Sequence, residues 1–469
     1  MQFQLKEYMT MAEITAYKIK GGTPVTGEVQ CLGAKNFATK AMVCALLGNS
    51  PTTLTNVPSI GDVDITKKLL ETVGAKVTWE NETTLKIDPT KVNTHKVTTP
   101  DSRNNRLPIL LIPFLLHKYG QAVVPRLGGC NIGKRNVDFH LTAAELFGAT
   151  VETKDSGYHA KSNGRLKGTH YEMPYPSVGA TETCLFLSVL SEGTSVIRNA
   201  AIEPEIMELI TMLRSMGAII FLNPNREIIV EGVESLTGTN MYVIGDRIEA
   251  ASWASLACAS DGEIIVKGIR PNTLGNFLSY YRQVGGGFEF LDGSTIRFFR
   301  ERELSSIALE TDVYPGFSTD WQQPFCVLLT QAKGISAVHE TVYESRFGYT
   351  KAVNKLGAKI QLTNKCLGQE CRYKNHDHKH SALIMGPTPL KAIESPIEIP
   401  DLRAGLAYVI AAAVAEGTTY LTNVDLLERG YGDIIKRLSE VSLDVEKVKI
   451  EVKNTEPSNI LKRLKEAFK

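Results

Sequence analysis

The sequence has no apolar run long enough to cross a bilayer. The longest, LPILLIPFLL at 107–116, has ten residues, about half of what a spanning helix needs. There is almost no net charge: 52 basic against 51 acidic residues give +1. No overall field therefore draws the chain to nucleic acid or to a membrane surface, and any anion site must be built locally. Neither a Walker phosphate loop nor a Gly-x-Gly-x-x-Gly fingerprint is present, so the usual cradles for ATP and nicotinamide are excluded and no cofactor is expected. The opening residues, MQFQLKEYMTMAEIT, lack the pattern of a secretory leader. The eight cysteines are scattered, and Cys44, Cys184 and Cys258 stand in apolar contexts, AMVCALL, ETCLFL and SLACAS. Such thiols read as reduced core residues. The expectation is a soluble, cytoplasmic protein.

What the sequence does contain is repetition. An apolar, helix-like run closing on a small turn and followed by a β-rich run occurs six times, from CALLGNSPTTLTNV to AAAVAEGTTYLTNV. A second helical run follows each, and five of these close on Gly74, Gly148, Gly217, Gly285 and Gly357, spaced about 70 residues apart. A glycine after a helix is a C-cap, because it adopts positive φ without a Cβ penalty. Two helices alternating with short strands make an α/β unit. Six units are too many for one core, so two lobes of three units each are expected.

The units carry matched polar loops. Just before the first helices stand Lys35, Arg106, Arg247, Asp320 and Arg403. Just after the first strands stand Cys130, Lys134, Arg135, Arg346 and Arg429. Helix N-termini offer unpaired N–H groups and the positive end of the dipole. Arginine adds bidentate recognition of carboxylate and phosphate. A cleft between lobes lined by such loops is an anion site.

The ordered motifs GGTPVTGEVQCLGAKN, GGCNIGKRNVDFH, PSVGAT, NAAIEPEI, GDRIEA, YPGFSTDWQ, YESRF, DLRAG and ERGY span Lys18 to Val445. Together they resemble the enolpyruvyl transferase family, in particular its branch that acts on UDP-N-acetylglucosamine to open peptidoglycan synthesis. The resemblance implies a two-lobed inverse α/β barrel. The first lobe would be residues 36–244 and the second 1–35 with 245–469, with crossovers near Lys35 and Asp246. It implies transfer of the enolpyruvyl group of phosphoenolpyruvate to the 3′-hydroxyl of UDP-N-acetylglucosamine, through a tetrahedral ketal, with loss of phosphate. By the same resemblance Lys35, Asn36, Arg135, Arg346, Arg403 and Arg429 meet phosphoenolpyruvate. Arg106, Arg135, Asn136, Val137, Asp138, Phe139, Tyr175, Pro176, Ser177, Val178, Asp320 and Val342 meet the UDP-sugar. Catalysis would rest on Cys130, Asp320, Lys35 and Arg429, with Asp320 as base at the sugar hydroxyl and Cys130 as general acid of a mobile lid, able to form a covalent adduct with phosphoenolpyruvate. Glu203 and Glu205 read as supporting residues.

Physical chemistry suits Cys130 to that role. Gly128 and Gly129 let the loop move, and Lys134 and Arg135 lower the pKa of a nearby thiol. Two positions depart from the family pattern: Asn136 replaces the usual proline and Tyr175 the usual lysine. An enzyme for shikimate 3-phosphate, or for another uridine nucleotide, is a rival reading, as is an inactive binding paralogue. Cys130 argues against the shikimate reading, and Lys35, Cys130, Asp320 and Arg403 together argue against the inactive one. The segment CLGQECRYKNHDHKHSALIMGP holds Cys366, Cys371, His376, His378 and His380. Its spacing matches no standard tetrahedral motif, so the expectation is a solvated hairpin and no metal.

Overall fold

The helix Gly61–Thr72 shows how each outer helix forms. Val63, Thr66, Leu69 and Leu70 share one buried face, the helical period of an amphipathic segment. Asp62 and Asp64 lie in its first turn, where the helix dipole favours negative charge. The chain then leaves through Gly74 at φ 97°. Gly148, Gly217, Gly285 and Gly357 end their helices the same way, at φ 97°, 107°, 117° and 107°. The C-cap reading therefore holds at all five closing glycines.

The computed structural model describes residues 11–98, 106–127, 137–400 and 405–453. Among them are six sheets, five of four strands and one of three. In each four-stranded sheet, a central strand pairs antiparallel on one side and parallel on the other. Gly334–His339, for example, pairs antiparallel with Ser381–Gly386 and parallel with Ala308–Glu310. In the three-stranded sheet, Gln121–Val124 pairs antiparallel with Gly157–Ser162 and meets Lys96 in one parallel bridge at Val123. The six repeated units are thus six copies of one small topology.

Two of the parallel strands are exchanged. Thr26–Gln30, which leads into the first unit's helix, pairs with Glu263–Lys267 of the fourth unit. Asn240–Tyr242, which leads toward the fourth unit's helix, pairs with Thr52–Thr55 of the first. Where the two connections pass, the Ala34 amide donates to the Ile244 carbonyl at 2.6 Å and the Asp246 amide to the Leu32 carbonyl at 2.8 Å. Local periodicity could not reveal this exchange, because it joins residues about two hundred positions apart.

The buried apolar residues form two cores. One gathers Ala34 to Ile244, and the other gathers Tyr17 to Cys31 and Ala250 to Val445. In the second core the helices Arg247–Ala259, Gln322–Leu329 and Gly405–Val414 pack on one another. They are buried nearly all round, as a helix at the centre of a core must be. Most of the large apolar residues left exposed, including Ile219, Phe221, Phe290 and Ile335, lie on strands. Helices inside and sheets outside is the inverse α/β barrel that was expected. No helix of the described residues is long and apolar enough to cross a membrane.

Candidate active site

A cleft of about 670 Å³ receives residues from both cores, a size suited to a small-molecule substrate. Lys35 and Asn36 open the helix Lys35–Cys44 at its rim. Lys35 Nζ lies 3.2 Å from Asp62 Oδ2, and Arg429 Nε donates to Asp62 Oδ1 at 2.7 Å. Burial pushes the Asp62 carboxyl up, but the Lys35 and Arg429 cations outweigh it and hold the group below its usual range. One carboxylate therefore holds two cations side by side, one from each core. Asp62 was not singled out from sequence, although its loop, NVPSIGD, stands at a matched position. A lone aspartate in a helix's first turn reads as a dipole partner.

Asp320 precedes the helix Gln322–Leu329 and lines the same cleft. Arg346 Nη2 donates to Asp320 Oδ1. Arg346 itself is only 1% exposed and is absent from the cleft lining. The sequence placed it in the cationic cage around phosphoenolpyruvate; the structure puts it behind Asp320. Its Nε and Nη1 have no hydrogen-bond partner among the described residues, so its hydrogen bonds among them go to that carboxylate and, at 3.4 Å, to the Thr319 carbonyl, with the centre of the Tyr343 ring 5.7 Å from its guanidinium. Glu340, which sequence reasoning missed, braces the corner. It accepts from the Val342 and Tyr343 amides at 2.8 and 3.0 Å and from Thr319 Oγ1 at 2.9 Å. Burial nonetheless pushes its carboxyl up.

The third wall holds most of the residues expected at the nucleotide. Arg106, Asp138, Phe139, Tyr175, Pro176, Ser177, Val178 and Val342 all line the cleft. Ser177 caps the helix Val178–Ser188, its hydroxyl accepting from the Ala180 amide, which satisfies one of the helix's first-turn donors. Val137 stands just before the helix Asp138–Leu146 but does not line the cleft. His140 is held neutral: burial, then the Arg106 charge, lower it to about 3. Cys130, Lys134, Arg135, Asn136 and Arg403 lie outside the described residues.

The floor is acidic. Glu205 pairs with Arg247 Nε at 2.9 Å, both nearly buried, which makes it the supporting residue that was expected. Glu182 is buried beside it, and burial, despite Lys40 nearby, raises its carboxyl from 4.5 to about 7, with Glu203 and Glu205 adding to the rise. Because the folded pKa is the higher one, the folded state holds a proton that the unfolded chain has lost between about pH 4.5 and 7. Stability is lost as pH rises through that window, by about 3 kcal/mol for this group. Glu182→Gln should abolish that loss. Thermal melts should show the variant gaining on the parent by several degrees between pH 5 and pH 8, and parallel curves would contradict the assignment.

Comparison with known proteins agrees with the architecture. The profile of the EPSP synthase (3-phosphoshikimate 1-carboxyvinyltransferase) family matches residues 19–438. The chain is 44% identical to the UDP-N-acetylglucosamine 1-carboxyvinyltransferase of Protochlamydia amoebophila, covering 92% of this chain and 94% of the relative. It is 43% identical to that of Chlamydia pneumoniae, covering 90% and 93%. Among solved structures, the enolpyruvyl transferase NikO of Streptomyces tendae superposes with a TM-score of 0.82 at 20% identity, over 94% of this chain and 100% of that one. EPSP synthase of Acinetobacter baumannii gives 0.72 at 18% identity, over 92% and 100%. With six copies of one unit, two cores and a cationic cleft matched along nearly its whole length, the chain belongs to the EPSP synthase family of 1-carboxyvinyl, or enolpyruvyl, transferases.

Proposed function

We propose that this cleft moves the enolpyruvyl group of phosphoenolpyruvate to the 3′-hydroxyl of UDP-N-acetylglucosamine and releases phosphate, the first committed step of peptidoglycan synthesis, carried out in the cytoplasm. The observation that carries the reading is the sharing of Asp62 by Lys35 and Arg429 in the cleft that also holds Asp320. The names and near-complete coverage of the curated relatives support the same substrate pair.

Phosphoenolpyruvate brings a phosphate and a carboxylate. Lys35 and Arg429 turn to these anions from Asp62, with Asn36 beside them and Arg135 and Arg403 as further cations. Charge-assisted contacts of this kind are the strong ones. UDP-N-acetylglucosamine lies along Arg106, Asn136 to Phe139 and Tyr175 to Val178, its sugar toward Val342 and Asp320. Arg346 holds the Asp320 carboxylate in place to accept the proton of the 3′-hydroxyl. The sugar oxygen bonds to C2 of phosphoenolpyruvate while the methylene carbon takes a proton from Cys130. The ketal then loses a methyl proton and expels phosphate, restoring the double bond as an enol ether.

Closure brings these groups together. The lobes 36–244 and 1–35 with 245–469 rotate about the paired connections near Ala34 and Ile244, and the Cys130 loop folds over the cleft. Phosphate release is the test. It should require both phosphoenolpyruvate and UDP-N-acetylglucosamine. Release with shikimate 3-phosphate in place of the UDP-sugar would overturn the reading.

A further inference from the structure

The connection between the paired strands Lys359–Thr363 and Ser381–Gly386 is the hairpin that the sequence suggested, but it is not simply a solvated one. Residues 364–380 contain neither helix nor strand. They fold back on the end of the neighbouring strand Gly334–His339. There, one ligand atom each from His339, Cys366, Cys371 and His380 lie within 4.8 Å of one another. His376 and His378, which made the segment look histidine-rich, stay exposed and stack on each other.

The protonation of both histidines follows from their outer partners. His380 Nδ1 is 2.8 Å from the His378 carbonyl. A carbonyl only accepts, so Nδ1 carries the proton and Nε2 presents a lone pair. His339 Nδ1 is 2.8 Å from Glu310 Oε2, again an acceptor, so its Nε2 also turns a lone pair inward. A second-atom contact to a carboxylate or carbonyl is what orients a metal-bound imidazole. Glu310 Oε2 also accepts from the Gln369 amide at 2.9 Å, pinning the turn between the cysteines. The turn passes so close that a Cβ on Gly368 would stand 1.9 Å from that oxygen, so any side chain there would push the Glu310 carboxylate out of place.

His339 Nε2 has no hydrogen-bond partner among the described residues, though His339 is only 1% exposed. An orphaned buried nitrogen is costly, and here it faces two thiols and a second imidazole. Cys366 Sγ lies 3.9 Å from Cys371 Sγ and 3.5 Å from His380 Nε2. A tetrahedral zinc with Zn–S of about 2.3 Å and Zn–N of about 2.0–2.1 Å has edges of about 3.8 Å between sulfurs and about 3.5 Å between sulfur and nitrogen. The sulfurs are far beyond the roughly 2.05 Å of a disulfide. Two thiolates with two imidazoles are a donor set that selects zinc.

We propose that His339, Cys366, Cys371 and His380 form a structural, tetrahedral zinc site. It ties the connection to the strand behind it. Resting on the proposed function, it also braces the nucleotide wall of the cleft: Arg372, next to the ligand Cys371, lies 4.6 Å over the Tyr175 ring and donates to the Val342 carbonyl, which Tyr373 Oη contacts at 2.9 Å. The ligands come from two separate stretches of chain, which is why spacing alone did not disclose them.

Elemental analysis of protein purified under reducing conditions after zinc supplementation should find one zinc per chain. The double variant Cys366→Ser with Cys371→Ser should lose at least tenfold of it, whereas His376→Ala, exposed and outside the cluster, should keep it. Cobalt added to metal-stripped parent protein should give the intense visible absorption of tetrahedral Co²⁺ with thiolate charge-transfer bands. That readout does not depend on whether the serine variant folds. No zinc together with no cobalt spectrum overturns the proposal, as does full zinc retention by the double variant. Phosphate release is scored separately, so a protein that holds zinc but transfers nothing refutes the function and leaves the site standing.

Discussion

Asp320→Asn should fold normally and lose about 10²–10⁴-fold in turnover, the usual worth of a positioned proton acceptor. Asparagine keeps a carbonyl oxygen for Arg346 but cannot take a proton from the sugar hydroxyl. Asp320→Ala should be equally inactive and also unstable. Arg346 is 1% exposed, with two guanidinium nitrogens already unpartnered among the described residues. Alanine leaves Arg346 Nη2 without the acceptor that asparagine keeps, and a buried donor stripped of its partner costs about 1–3 kcal/mol. Phosphate release together with thermal melts separates the two effects. Turnover by Asp320→Asn near that of the parent would remove the base from the mechanism. Equal melting temperatures for the alanine and asparagine variants would show that Arg346 does not depend on Asp320.

Cys130→Ser should lose most activity, because a hydroxyl of far higher pKa is a poor acid at neutral pH. The thiol stands in GGCNIGKR beside Lys134 and Arg135, the setting that favours thiolate character and reactivity. Cys31, Cys44, Cys184, Cys258 and Cys326 are all buried, and burial pushes each of their thiols up. The epoxide fosfomycin should therefore inactivate the protein through one adduct on the LGGCNIGK peptide, formed faster with UDP-N-acetylglucosamine present. Mass spectrometry and phosphate release check both halves. Cys130→Asp should resist the epoxide while keeping turnover, since a carboxyl in a closed, desolvated site can carry the proton. Full activity in Cys130→Ser would leave the loop as a lid without a proton to give.

The sequence disclosed what is local. The closing glycines could be read because a helix needs positive φ where it stops, and Gly74 to Gly357 supply it. The cationic loops could be read because each precedes or follows a repeated element, which is how Lys35, Arg106, Asp320 and Arg429 came to one cleft. What escaped is long-range. The exchange of Thr26–Gln30 for Asn240–Tyr242 pairs strands far apart in the chain. Asp62 gains its meaning only when Arg429 reaches it from the other core. Arg346 reads in sequence as one more cation for phosphoenolpyruvate, and only its burial beside Asp320 sets it apart. His339 carries no local signal, being the end of an ordinary strand, and it marks the metal cluster only once 364–380 folds over it. Tyr175, a departure from the family pattern, sits under Arg372, an arrangement that neither residue suggests alone.

The proposed transfer joins two substrates in one cleft, and its product reports on it without an intermediary. Protein incubated with phosphoenolpyruvate and UDP-N-acetylglucosamine should release phosphate in step with a new UDP-sugar, whose proton spectrum carries a pair of vinyl signals from an enolpyruvyl ether at the 3′-oxygen. Phosphate release without that ether, or the ether appearing on shikimate 3-phosphate while the UDP-sugar is left unchanged, would contradict the account.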